Sequence, residues 1–575
     1  MTPTARRSAP HHRAATTAPR IHPPWTRSRW RWLALAAALV ACHHDGGTGP
    51  YTLRAPTGLA AQATSANDVR ITLDRVPGAS GYVLQRASGD TNFVDVATFT
   101  GASYDDGLLD PGTTYRYRVA TRMGSKQSGY SDAVSATTLG TQQARATLSG
   151  TIDDTRTLVA DTIYLLHGPV KVVSGGVLRI GPGTLLMGDT TVVGSSLLVE
   201  RGARIMAEGT ATHPIVFTSE RAPGHRHPGD WGGVTIVGNA RANLATQFAQ
   251  TEGPPGGTSE FLGGTNDDDD SGVFRFVRIE FAGQEVSPNL RMTALSLYAV
   301  GRKTTLDHVE TVASLGDGIH WSGGTVNARY LVVYEAGDDS YDFNDGYQGS
   351  NQFLIGLQTT MLPSASGAAG AADHYFLELD NCEQGDVGCT SDAITPYTMP
   401  LIANFTAIGP GAGAWDPSRY GGYGLMLRRG TGATLVNGVV AGWPAAALTL
   451  EDSMTLVQLE RDTLTLRNLL FTQNGRDFDP AGSGYGQQSR FTGDAIESST
   501  APIASLFAGF AIPPTTNALD WTPAAGSPLA TGGLTSFPAR IAARAGSFVV
   551  PTAYRGAASP SGPRWWAGWT AYVTS

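Results

Sequence analysis

The sequence predicts an all-β protein, a β-sandwich near the N-terminus followed by a parallel β-helix solenoid. Three observations carry this. Apolar and polar residues alternate in short runs bounded by turn residues, the pattern of half-buried strands. Helical periodicity is almost absent after residue 147. Glycine is frequent, 71 of 575 residues, and punctuates the runs without a collagen period. The hydrophobic content of 41% is enough for real cores. Three cysteines exclude a disulfide scaffold. A formal net charge of −8 without a basic patch excludes a general nucleic-acid binder.

Residues 1–41 read as an export signal. Seven arginines and no acidic residue precede the apolar run Leu33–Ala41. That run is too short to span a bilayer, which needs about 20 residues. Its end, Leu39-Val40-Ala41-Cys42, resembles the lipobox of bacterial lipoproteins. The resemblance implies cleavage before Cys42 and lipidation of that cysteine, which would tie the chain to a membrane through acyl groups. Without residues 1–41 the chain carries 34 basic against 49 acidic residues, a net charge of −15. Charge alone would not hold so acidic a chain on anionic lipid. The expected location is the cell envelope, at the outer membrane or cell surface. His43 follows Cys42, not the aspartate that would suggest inner-membrane retention. Residues 42–54 read as the lipidated cysteine and a flexible Gly-rich tether.

Residues 55–138 form the expected sandwich. Strand-like runs fall at Val69–Leu73, Gly81–Arg86, Phe93–Phe99, Thr114–Arg122 and Ala133–Thr138. Turns fall at Pro77-Gly78, Ser88-Gly89-Asp90 and Asp110-Pro111-Gly112. The segments from Ala55 to Leu59, Pro77 to Tyr82 and Leu109 to Val119 resemble a fibronectin type III domain. Tyr115 matches its tyrosine corner. The core tryptophan expected near Leu73 is missing, with Asp74-Arg75 in its place. The expected role of this domain is a spacer or binding module, standing as the stalk of the protein.

Residues 139–575 form the expected solenoid, with insertions near 358–400 and 475–530. Gly316-Asp317 recurs 21 residues later as Gly337-Asp338, and Asn327 recurs 24 later as Asn351. Repeats of this period in strand-only sequence indicate stacked coils. The segments 173–188, 197–219, 228–240, 263–283 and 323–349, with 553–573 as a closing piece, look like exported bacterial lipoproteins with a right-handed parallel β-helix of the pectin-lyase-like fold. Trp231, Trp565, Trp566 and Trp569 read as packing or end-capping residues.

The densest polar stretch is Gly337–Asp345, with Asp338, Asp339, Asp342 and Asp345. Four carboxylates so close repel unless a cation sits among them. Ca²⁺, which takes about six to eight oxygen ligands, fits, with Asp317 supplied by the preceding coil. A solvated acidic turn is the other reading. Asp267–Asp270 reads as a solvated loop, with a Ca²⁺ site as the other reading, and His225 and His227 as a polar loop, with metal binding as the other reading. Trp321, Tyr334, Tyr341 and Tyr347, with Tyr330 and Phe343, would stack on sugars if exposed. Strand alternation turns about half of such residues inward. Cys382 and Cys389, in NCEQGDVGC, are placed to close a disulfide in an oxidising compartment.

The leading expectation is a non-catalytic binding or adhesion module for a glycan or surface polymer. The fold resemblance also implies a Ca²⁺-assisted polysaccharide lyase, with Arg278 or Arg329 as base. A hydrolase would use two facing carboxylates, Asp317 and Asp338. A third reading is a structural surface scaffold, with aromatics buried in the coils and no groove.

Overall fold

The computed structural model describes residues 53–572, apart from 89–91, 108, 141–143, 223, 245–248, 262, 288–289, 363–373, 383–388, 480–484, 492, 511–513 and 515–518. The signal and Cys42 therefore lie outside the described residues. Among these, no helix is long and apolar enough to cross a membrane.

The sandwich packs two antiparallel sheets. One holds Ala60–Ala63, Val69–Thr72 and Ser103–Asp106; the other is built on Gly81–Ser88 and Thr114–Met123. Val69, Ile71, Leu84, Tyr117 and Val119 alternate inward to form its core. The Tyr115 hydroxyl accepts a hydrogen bond from the Asp110 N–H at 2.9 Å, closing the corner. Near the missing tryptophan, Tyr82 shares the core with Leu73 and Val76. It packs on Phe99 at 5.5 Å, and its hydroxyl accepts from the Val76 N–H at 2.8 Å.

From Ala144 onward, 26 strands join in one continuous sheet of parallel pairings that winds into coils. Ile319 pairs with Tyr341 and Leu306 with Ala328, so a coil without insertion takes 22 residues. This corrects the 21-residue match: Asp317 lies opposite Asp339, whose N–H it receives at 3.1 Å, rather than opposite Asp338. The inward residues form one core from Leu148 to Phe491. Burying this stripe in every coil is what makes the stack cooperative.

From Phe276 onward, two strands of successive coils meet at a left-handed residue. In register these are Phe276, His308, Tyr330, Phe353, Asn404, Asn437 and Asn468, with φ between 47° and 66°. Asparagine tolerates this conformation best among residues with a side chain. The four rings tolerate it by stacking, with centroid spacings of 4.2, 4.5 and 5.1 Å along the column.

The C-terminal residues run back along this column. Asn404 Nδ2 donates to Thr552 Oγ1 at 2.8 Å and to the Gly556 carbonyl at 3.1 Å. Trp565 packs on Tyr330, and Trp569 packs edge-on against Phe276. These tryptophans strap the flank of middle coils; they do not cover the open end, as capping residues would. Trp231 lies inside the core, stacked with Phe217.

The sandwich lies against the β-helix. Arg122 approaches Asp520 at 3.8 Å, and His213 approaches Asp68 at 3.7 Å. It is therefore no free-standing stalk.

Candidate functional site

Strand alternation decides which predicted residues can meet a ligand. In Tyr341–Asn344, Tyr341 and Phe343 point inward, and Phe343 stacks on Trp321 at 4.4 Å. Trp321, Tyr341 and Tyr347 are fully buried. The Tyr341 hydroxyl donates to the Ile355 carbonyl at 2.8 Å, and that of Tyr347 to the Val326 carbonyl at 2.7 Å. Tyr334 is buried under Tyr572 of the C-terminal strap. The expected sugar-binding row of Trp321, Tyr334, Tyr341 and Tyr347 does not exist. Three of the four are core, and the strap covers the fourth.

The outward residues of the same strands are polar. Ser296, His320, Asp342 and Glu378 lie in register across four coils. A hairpin of Ala249–Gln250 and Glu260–Phe261 lies over them. Phe261 packs on Tyr298 at 4.6 Å, and the Glu252 N–H donates to the Tyr298 hydroxyl at 3.2 Å. This brings the Glu252 carboxylate down onto the sheet.

The four aspartates of 338–345 do not converge, because they occupy different parts of one coil. Asp338 and Asp339 lie in the turn before the strand. With Asp317 they present carboxylate oxygens within 4.8 Å of one another. Burial, with Glu378 and Asp338 close by, holds the Asp339 carboxyl well above the ordinary range. Asp342 is on the strand, 3.5 Å from His320 Nε2. Asp345 is at the strand's far end, where it accepts from Ser322 Oγ at 2.6 Å.

A second group of three side chains, Glu252, Asp317 and His320, also gathers within 4.8 Å. Sequence reading missed Glu252 and His320. His320 was legible in principle: it sits between the inward residues Ile319 and Trp321, one coil before Asp342. Glu252 was not, since only the fold of its hairpin carries it there. Burial and the Asp317 charge raise the Glu252 carboxyl to about 7, against the lowering effect of His320. Burial opposes protonation of His320, but Glu252 and Asp317 outweigh it and raise its pKa.

Neither proposed base enters this face. Arg278 Nε pairs with Glu280 at 2.5 Å, and its Nη1 donates to the Trp569 carbonyl at 2.9 Å. Arg329 pairs with Asp307 at 2.7 Å and packs near Tyr330.

Arg278 instead lines a cleft of about 1590 Å³ between the sandwich, the β-helix and the strap. Many of its wall charges are paired. Arg86 meets Asp106 at 3.0 Å, Arg226 and Arg278 share Glu280, and Arg564 meets Asp520 at 2.8 Å.

The remaining predicted residues lie elsewhere. Asp267–Asp270 lies at the surface, with ion pairs across it: Arg241 and Arg302 pair with Asp267, and Arg204 pairs with Asp270 at 2.6 Å. His225 and His227 join no group of three metal-ligating side chains among the described residues. Cys382 and Cys389 form a disulfide, Cα–Cα 5.5 Å.

Comparison with known proteins gives one family. The family described as "Pectate-lyase like beta helix domain" matches residues 150–504. No curated protein matches the chain. Among solved structures, a fibronectin-III-like protein from Clostridium thermocellum is 26% identical, covering 15% of this chain and 93% of its own, with a TM-score of 0.14. A β-1,2-glucanase from Parabacteroides distasonis is 25% identical, covering 16% of this chain and 14% of its own, with a TM-score of 0.15. The FN5 domain of Drosophila Lar is 15% identical, covering 16% of this chain and all of its own, with a TM-score of 0.14.

Proposed function

The chain belongs to the pectate-lyase-like β-helix family, and from that premise we propose a lipid-anchored envelope protein that holds a glycan without cleaving it. The family makes it a polysaccharide-related protein. The carrying observation is the cleft between sandwich and β-helix, of about 1590 Å³. Its paired guanidinium and carboxylate groups offer fixed donors and acceptors to a chain rich in hydroxyls. The lipobox-like segment ending at Cys42 supports an anchor at the outer membrane or cell surface. A purely structural scaffold would need no such groove.

A Ca²⁺-assisted lyase is a second reading. One observation favours it: Asp317, Asp338 and Asp339 offer only oxygen ligands, as Ca²⁺ prefers. Neither of its expected bases is free to act there, since Arg278 and Arg329 are held by Glu280 and Asp307.

The test is to incubate the purified chain from residue 43 with neutral and acidic polysaccharides, with Ca²⁺ and with chelator. Pull-down of intact polymer without released fragments is the expected result. Unsaturated oligosaccharides that vanish on chelation would replace the binding reading with the lyase.

A further inference from the structure

The His320 side chain is held so that one nitrogen is left facing acids. Its Nε2 lies 3.2 Å from Asn344 Oδ1 and 3.5 Å from Asp342 Oδ2. Asn344 in turn donates through Nδ2 to Asp342 at 3.4 Å, which turns its amide oxygen toward the ring. Both neighbours of Nε2 are therefore acceptors, and Nε2 carries a hydrogen. That leaves Nδ1 as the other functional atom of a side chain only 9% exposed. Nδ1 has no hydrogen-bond partner among the described residues. It faces Glu252 Oε1 at 3.7 Å, beyond hydrogen-bond range.

The carboxylates opposite Nδ1 are oriented from behind. The Thr293 N–H donates to Glu252 Oε2 at 2.7 Å. Thr293 Oγ1 lies 3.3 Å from Glu252 Oε1 and 3.2 Å from Asp317 Oδ2, so it bridges the two carboxylates. Asp317 Oδ1 receives the Asp339 N–H at 3.1 Å. An imidazole nitrogen without a hydrogen-bond partner thus lies in a group whose ligand atoms, with those of two carboxylates, fall within 4.8 Å of one another. The outer ring nitrogen bonded to an amide or carboxylate acceptor is the arrangement that orients metal-binding histidines.

We propose that Glu252, Asp317 and His320 form a binding site for one divalent transition-metal ion of the zinc or cobalt class. One nitrogen and two carboxylate oxygens suit such an ion, whereas Ca²⁺ takes oxygen alone. Ligands at about 2.0–2.2 Å from one ion stand roughly 3.3–3.7 Å apart, which the Nδ1–Oε1 separation matches. The two carboxylates balance the ion's charge. Glu252, with a side chain 21% exposed, leaves an approach for water at a remaining coordination position.

The test is a Co²⁺ titration of the chelator-treated protein, read by visible absorption, with Zn²⁺ competition. Expected are one equivalent bound, displacement by Zn²⁺ but not by excess Ca²⁺, and weakening of at least about tenfold in His320→Gln and Glu252→Gln. Asp338→Asn, which alters the neighbouring all-oxygen group, should change affinity less than about twofold by comparison. The proposal fails if no ion binds, if Ca²⁺ displaces Co²⁺, or if His320→Gln binds as the wild type does. Should His320→Gln not fold by circular dichroism, the wild-type titration decides: no cobalt band, or a band abolished by Ca²⁺, overturns the site. An ion pair between protonated His320 and Glu252 would then explain the geometry.

Discussion

Glu335 sits at a left-handed position, φ 55°, with 2% of its surface exposed. Its carboxylate accepts from the Thr359 N–H at 3.0 Å and from the Thr360 N–H at 3.3 Å. Burial nonetheless wins over these bonds and raises its pKa from 4.5 to about 7. The sign follows from linkage: the folded state keeps a proton that the unfolded state loses. Glu335's contribution is most favourable below about pH 4.5 and is lost as pH rises through about 7. The full shift corresponds to about 3 kcal/mol at 1.36 kcal/mol per pK unit. Glu335→Gln should therefore gain on the wild type by up to that amount between pH 5 and pH 8. Urea unfolding at both values checks it, and a pH-independent difference would disprove it. Nothing in the sequence marks Glu335. Its position on a strand is legible, but the turn of 358–360 that buries it is not.

Among elements, strands were legible and long-range cover was not. The expected runs at Val69–Leu73, Gly81–Arg86 and Thr114–Arg122 fall on the strands Val69–Thr72, Gly81–Ser88 and Thr114–Met123, because alternation and turn residues are local signals. The acidic stretch 337–345 was legible as composition. Its division into separate groups was not, because the coil's turn, strand and next turn point its aspartates apart. The strap was legible only as a tryptophan-rich closing segment. Its bonding to the asparagines joins residues about 150 positions apart, as in Asn404 to Gly556. This gives a prediction. Asn404 has φ 56°, which glycine adopts freely. Asn404→Gly removes the side-chain bonds to the strap without adding backbone strain. At about 1 kcal/mol per bond, it should destabilise the protein by roughly 2 kcal/mol. It should also speed proteolytic cutting within 532–556. Asn404→Ala should cost more, since it adds the left-handed penalty of about 1–2 kcal/mol. Equal stability of all three proteins would mean that the strap is held by its tryptophans alone.

At the scale of the whole molecule, the cleft depends on three parts of the chain meeting at Asp520. This carboxylate is 4% exposed and receives Arg564 of the strap at 2.8 Å and Arg122 of the sandwich at 3.8 Å. A buried acid shared by two arginines is costly to remove, because the arginines lose their counter-charge. Asp520→Ala should therefore loosen the sandwich from the β-helix while leaving each core intact. The expected readouts are a larger radius of gyration by X-ray scattering and a thermal melt that separates into two transitions. If the cleft holds the glycan, polymer retention should fall with it. A wild-type property sharpens the test. The charges lining the cleft are mostly paired, so glycan retention should change little between low and high salt, unlike a contact driven by net charge. Retention that survives Asp520→Ala while the sandwich swings free would move the glycan to the β-helix alone. It would also return the sandwich to the role of a spacer.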